Sequence, residues 1–265
     1  FTQALLKGDG DGALAVRMHV ASAINRICTA IPALPEGEAH PAAFFVRGLL
    51  AHMPLDATPA QTKNVGQYFD LTAALLAHVC EGRHGFAASD FEAHLEQLVH
   101  AVRDRPMCES RQNTDVDLVL VGLLDVIRVL VSSSQALRKA AGQAQSSGGS
   151  DLASYLFNEC LFSLPDPRAL FNSTSAQPPK CKRSRTRRAA FALLAALARD
   201  VPSVVDSLNG SMRGLVEATE ATTHFKVNPK LNEKSATGYV GLQNLGCICY
   251  MNSLMQQLYM IEPIR

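Results

Sequence analysis

The sequence predicts a mainly α-helical protein made of short helices stacked pair on pair. Three observations predict it. Ala and Leu are abundant and Trp is absent. From Ala13 to Thr219 apolar residues recur at helical spacing, and no convincing strand alternation precedes Thr237. Pro, Gly and Ser clusters then cut this pattern into short segments joined by short loops. At 265 residues, 47% hydrophobic and 18% charged, the chain has enough apolar surface for one large core or two ordinary ones.

Each element follows in order. Ala13 to Ile31 places Val16, Val20, Ala23, Ile24, Ile27 and Ile31 on a helical stripe, which "ALPEGEAHP" ends. Ala42 to Met53 is a second helix, closed by Pro54 and Pro59. Ala60 to Val79 is a third, with Tyr68, Leu71, Leu75 and Leu76 on one side. Asp90 to Val102 is a fourth, capped by Ser89, with Phe91, Leu95 and Leu98 inward. The longest runs from about Thr114 to Ala141, and "GQAQSSGGSD" after it is a flexible surface loop. Asp151 to Leu164 carries Leu152, Tyr155, Leu156 and Cys160, and a proline-rich loop continues through Pro179. Arg187–Arg199 and Pro202–Thr219 form a last antiparallel pair.

So many short helices are poorly served by one closed bundle, whereas stacked pairs bury their faces neighbour by neighbour. The expected architecture is therefore armadillo/HEAT-like over residues 1–220, a polar linker over 221–237, and a second domain beginning at 238. A chain that starts at Phe1 and stops at Arg265, where a helix is ending, is expected to be a piece of a longer protein.

Composition narrows the function. A net charge of +1 and a pI near 7.8 give no global attraction to nucleic acid or anionic membrane. The longest apolar run, Ala189 to Ala198, is too short to span a bilayer. Seven scattered cysteines, an odd number, suit a reducing compartment, cytosolic or nuclear, with most of them filling the core. On that basis the triplets at Asn172 and Asn209 are not glycosylation sites. "GDGDG" (Gly8–Gly12) fails as a calcium loop because Ala13, Leu14 and Val20 stand where oxygen ligands and a glycine are required. Cys80, His84, His94, His100 and Cys108 fit no zinc spacing, so neither metal nor cofactor is expected. "KCKRSRTRR" (Lys180–Arg188) has six basic residues in nine positions, but without interleaved aromatics it is expected to be a solvated loop entering a helix. Asp125 and Arg128, three apart, pair with each other.

The strongest chemical signal is "NLGCICYMNS" at 244–253. Cys247 and Cys249 have one residue between them, too few for a zinc pair, and a disulfide across that gap would be strained. Either they are buried filler or one is a nucleophile. Met251, Leu254, Met255, Leu258 and Ile261 continue as a helical stripe expected to bury against a core, which places Cys249 at a helix start. There the free backbone N–H groups and the helix dipole favour a thiolate. Gly241 and Gly246 allow a sharp approach, and the Asn244 amide can curl back as the donor that acyl transfer needs for its oxyanion. Cys247 precedes the helix without that advantage and is the bystander.

"GLQNLGCICYMNSLMQQL" resembles the cysteine box of the ubiquitin-specific proteases, a papain-like family. Gly241, Leu242, Asn244, Gly246, Cys249, Tyr250, Met251, Asn252, Ser253, Gln256 and Leu258 match its pattern in one register. The ending "QQLYMI" looks most like the very large members, which carry helical repeats ahead of the catalytic domain. Two positions depart from the pattern: Cys247 where Ala or Asn is usual, and Ile248 where Thr is usual.

The resemblance implies that residues 238–265 begin a papain-like α+β catalytic domain. Cys249 is then its nucleophile and Asn244 its oxyanion-hole residue, supported by Gly246 and by Gln256 on the helix behind. It implies ubiquitin or ubiquitinated proteins as substrates, with the repeats binding substrates or protein partners. Such a protease needs a histidine and an orienting Asp or Asn, which in this family lie far downstream. All eight histidines here precede Cys249, so residues 1–265 alone are expected to be inactive. The alternative is a helical-repeat scaffold with a degenerate protease-like domain, suggested by Ile248 and the second cysteine.

Overall fold

The computed structural model describes residues 1–6, 12–31, 40–55, 65–82, 88–109, 115–143, 151–164, 178–221, 241–242 and 247–264. The expected loops at 144–150 and 165–177, the linker at 222–237 and most of "GDGDG" lie outside them. The chain divides into two compact units, residues 1–213 and 214–265. The described residues are mainly helical and contain no strand.

In chain order the helices are α1 (Thr2–Leu6), α2 (Ala13–Ala30), α3 (Pro41–Ala51) and α4 (Gly66–Gly82), then α5 (Glu92–Asp104), α6 (Leu118–Ser133) and α7 (Gln135–Gln143). After them come α8 (Leu152–Tyr155), which continues as a π turn over Leu156–Leu161, α9 (Ser184–Ala198), α10 (Pro202–Ala221) and α11 (Cys249–Met260). Local chemistry sets their starts. Buried His40 accepts the Ala42 N–H at 3.2 Å, and Pro41 occupies the first turn of α3, where its missing N–H costs nothing. Asp117 caps α6 by accepting the Leu120 N–H at 3.1 Å, and Asp151 caps α8 through the Ser154 N–H at 2.7 Å.

Within the first unit α6 is the centre. It is buried on most of its surface, with Val119 through Leu124, Val126, Ile127, Leu130 and Val131 covered and the Asp125–Arg128 pair half-exposed, as expected of a helix that is apolar nearly all round. It packs most extensively against α4 on one side and α9 on another, and α4 packs in turn against α2. A row α2–α4–α6–α9 results, with α3 laid on α4 and with α5 and α7 laid on α6. Gly122 sets the closest approach in the row. A methyl group added there would overlap the Phe69 ring of α4. Tyr68 joins the two layers by donating its hydroxyl to the Leu49 carbonyl at 2.5 Å.

Polar side chains buried at the helix ends are paired. Arg105, at the end of α5, forms a two-pronged ion pair with Asp117, Nε to Oδ2 at 2.6 Å and Nη2 to Oδ1 at 2.7 Å. Glu109, fully buried, accepts the backbone N–H groups of Asp117 (3.1 Å), Lys182 (2.7 Å) and Arg183 (2.7 Å) and the Thr186 hydroxyl (3.0 Å). Arg138 bridges the Val131 carbonyl at 3.0 Å and the Arg199 carbonyl at 2.8 Å.

Several expectations are corrected. The buried face of α2 is Arg17, Ile24 and Cys28, whereas Val16 and Ile27 are exposed; among the described residues α2 packs against α1, α3 and α4. Ser89 does not cap α5; it lies in a 3-10 turn (Ala88–Phe91), and the capping residue is Phe91, whose side chain makes no capping bond. The long helix expected from Thr114 to Ala141 is two helices. Ser134 turns extended between them and its hydroxyl accepts the Ala136 N–H at 3.2 Å, so the serine competes with the helix and restarts it as a cap. The helix expected over Asp151–Leu164 gives way to the π turn. The basic run is half anchored rather than solvated: Lys180 and Cys181 are buried and Thr186 is fully covered.

Asp117→Ala leaves Arg105 buried without its partner and is expected to cost about 3–5 kcal/mol. Asp125→Ala opens the half-exposed Asp125–Arg128 pair and should cost less than about 1 kcal/mol. Urea denaturation followed by helical circular dichroism compares the two; equal losses would refute the weight placed on Arg105–Asp117.

Candidate active site

The second unit carries the cysteine box. Its chain enters α11 through Cys247, which adopts φ 52°, the left-handed conformation that non-glycine residues seldom take. Ile248 is the capping residue of α11, and its side chain makes no capping bond. Its carbonyl accepts the Asn252 N–H at 2.9 Å, closing the first turn.

Cys249 is the first residue of α11 and is exposed. It therefore stands where a helix presents backbone N–H groups that have no intrahelical acceptor. Its own carbonyl is engaged by the Ser253 hydroxyl at 2.9 Å, one turn on. Gln256 is exposed on the same helix, and Gly241 passes close to it, so that a Cβ on the glycine would lie 3.9 Å from Gln256 Nε2. The structure thus brings Gly241 against the Gln256 turn of the helix that Cys249 opens. Asn244 and Gly246 lie outside the described residues. No histidine follows Cys249 in the sequence.

The apolar stripe on α11 departs from expectation. Met251, Leu254, Met255 and Ile261 are 45–58% exposed, and no residue of the helix is buried. Besides α11, the described residues of its unit are the end of α10, Gly241–Leu242, Cys247–Ile248 and residues 261–264, and they leave this face uncovered. The π turn holds a cluster that sequence reasoning missed: Cys160 beside Cys181, with Lys180 next to both. The residues are far apart in sequence, and only the docking of the segment before α9 joins them. Among the described residues no three His, Cys, Asp or Glu side chains gather as a metal site, and no helix is long and apolar enough to cross a membrane.

The profile of the ubiquitin carboxyl-terminal hydrolase family matches residues 240–265, the segment that contains Gly241, Asn244, Cys249 and Gln256. Similarity to individual relatives runs much further. The chain is 29% identical over 215 residues to human ubiquitin carboxyl-terminal hydrolase 9Y, covering 77% of this chain and 8% of that protein. It is 30% identical over 237 residues to mouse ubiquitin carboxyl-terminal hydrolase 24, covering 80% and 9%. Against Drosophila melanogaster ubiquitin carboxyl-terminal hydrolase puf it is 28% identical over 202 residues, 75% and 5%. Most of the chain is similar to ubiquitin carboxyl-terminal hydrolases, and residues 240–265 carry the match to their family. The chain spans less than a tenth of the length of the curated relatives it matches. The relatives' similarity extends through helices that precede the cysteine box, so the helical region is shared with these hydrolases too. No solved structure matches the chain.

Exposure separates the cysteines of this hydrolase relative. In the native chain N-ethylmaleimide should modify Cys247 and Cys249 at least about tenfold faster than Cys28, Cys160 and Cys181, whose burial demands local opening first. Peptide mass mapping over a time course measures this, and equal rates would contradict the exposure of the α11 start.

Proposed function

We propose that the protein containing this chain is a thiol-dependent deubiquitinase. Cys249 attacks the carbonyl of the isopeptide or peptide bond after the C-terminal glycine of ubiquitin. The observation that carries this reading is Cys249 itself: an exposed thiol at the first position of a helix, inside the segment that the hydrolase family matches. At that position unsatisfied N–H groups and the helix dipole favour the negative charge of an attacking sulfur. Asn244 supplies a carboxamide to the developing oxyanion. Gly246 and Gln256 shape the approach, and Gly241 against Gln256 is the part of that packing already formed. A downstream histidine with an Asp or Asn accepts the thiol proton, and residues 238–265 open the papain-like α+β domain that houses them.

Residues 1–220 form an armadillo/HEAT-like stack that binds substrates or protein partners, joined through 221–237 to that domain. Supporting the stack is the row α2–α4–α6–α9, in which each helix leans on the next while α2 and α9 share no extended contact among the described residues. Stacked pairs have this pattern, whereas a closed bundle joins its ends. The substrates are ubiquitin or ubiquitinated proteins, and the setting is cytosolic or nuclear.

The test uses a ubiquitin bearing a C-terminal electrophile. The protein extended through its downstream histidine should be labelled at Cys249, and Asn244→Ala should lower turnover of a ubiquitin-amide reporter by about 100-fold or more. Residues 1–265 alone should not turn the reporter over. No labelling in the extended protein would favour a binding scaffold, a reading to which the non-capping Ile248 lends weight.

A further inference from the structure

A second sulfur centre lies in the first unit, remote in sequence from the cysteine box. Cys160 sits in the π turn after α8, and π turns recur at functional sites. Cys181 sits in the segment that precedes α9. The Cys181 N–H donates to the Cys160 carbonyl at 2.9 Å and the preceding Lys180 N–H donates to the Glu159 carbonyl at 3.1 Å, which brings the two cysteines side by side. Both sulfurs are fully buried.

Beside them lies a buried cation. Lys180 Nζ donates to the carbonyls of Val102 and Arg103, each at 3.0 Å, and to the Tyr155 hydroxyl at 2.8 Å. All three acceptors are neutral, and among the described residues no carboxylate forms an ion pair with this ammonium. Burial works against the charge on Lys180, and the adjacent thiols, ahead of the Asp104 carboxylate, are the groups that offset this. The neighbouring Cys181 thiol, and after it the Lys180 ammonium, hold the Cys160 thiol below its ordinary range against the opposing effect of burial. The nearness of Cys160, together with burial, pushes Cys181 up.

We propose that Cys160 and Cys181 are a redox-responsive dithiol that closes to a disulfide when a small hydroperoxide such as hydrogen peroxide reaches it, with Lys180 stabilising the Cys160 thiolate. The thiolate sulfur attacks one peroxide oxygen and the O–O bond breaks. A sulfenic acid forms, and the released hydroxide takes up the thiol's proton as water. The Cys181 sulfur then attacks the sulfenic sulfur. The S–S bond forms as the S–O bond breaks, and the departing hydroxide leaves with the Cys181 proton as a second water. Two thiols are oxidised by two electrons and one peroxide is reduced. A backbone hydrogen bond between the two residues already keeps their Cα atoms near the separation of roughly 4.4–6.8 Å that a disulfide spans. Closure would weld the π turn to the segment whose Lys182 and Arg183 N–H groups hold Glu109, and so lock the start of α9.

The test treats the native 265-residue chain with hydrogen peroxide, blocks remaining thiols with N-ethylmaleimide in denaturant, and maps peptides without reduction. The expected product is one linked pair, Cys160 to Cys181, lighter by two hydrogens and reversed by dithiothreitol, with a raised Tm. Lys180→Met should slow closure about tenfold, because the Cys160 thiolate loses its neighbouring cation. If that variant does not fold, the wild-type map still decides. Both cysteines recovered fully alkylated while Cys247 or Cys249 is oxidised would overturn the proposal. So would Cys160 driven to sulfinic acid with Cys181 free, or an unchanged rate in folded Lys180→Met.

Discussion

A fully buried carboxylate with its oxygens filled by four donors is what the first unit depends on. Glu109 follows α5 by five residues, yet its acceptors serve the start of α6 through Asp117 and the start of α9 through Lys182, Arg183 and Thr186. Helix starts carry unsatisfied N–H groups and partial positive charge, so a single anion satisfies two of them at one point. Asp117 adds the third tie, to Arg105 at the end of α5. Those ties fix the ends of α6 and α9 relative to each other, alongside their apolar packing. The Phe69–Gly122 contact then fixes the depth at which α4 packs on α6.

Periodicity made the central helices legible. Tyr68, Leu71, Leu75 and Leu76 in α4, and Phe91, Leu95 and Leu98 around α5, are buried as their spacing demands. What periodicity cannot show is which face of an amphipathic helix has a neighbour. Val16 and Ile27 have the right spacing and face solvent, while Arg17 is buried. Nor can it show a polar residue taking a structural part. Ser134 looked like one more residue of a long helix, and its hydroxyl instead caps a new one. Lys180 looked like part of a solvated basic run, yet three neutral oxygens on other elements hold its ammonium.

The candidate site was legible for a different reason. A helix start is one setting that favours a thiolate, and helix starts are announced by residues close in sequence, so Cys249 could be placed at one without long-range information. The expectation that Met251, Leu254 and Met255 would be buried needed such information, namely a surface to cover them. A local signal established the position of the thiol; a non-local one was required for the packing of the helix behind it.

The chain therefore holds cysteine in two electrostatic settings. Cys249 stands at an exposed helix end among backbone N–H groups, where a partner can reach the sulfur but water screens the dipoles. At Cys160 the favourable field comes from a second thiol and a buried ammonium, where screening is weak and access is the restriction. An exposed thiol at a helix start suits a macromolecular substrate, which must thread a chain terminus up to the sulfur. A buried dithiol suits only a reagent small enough to enter a packed interior, and its oxidation changes a tether between elements rather than a bond in a substrate. Exposure and the source of the compensating charge, more than the identity of the residue, separate a sulfur able to do chemistry on a partner from one able to sense the medium.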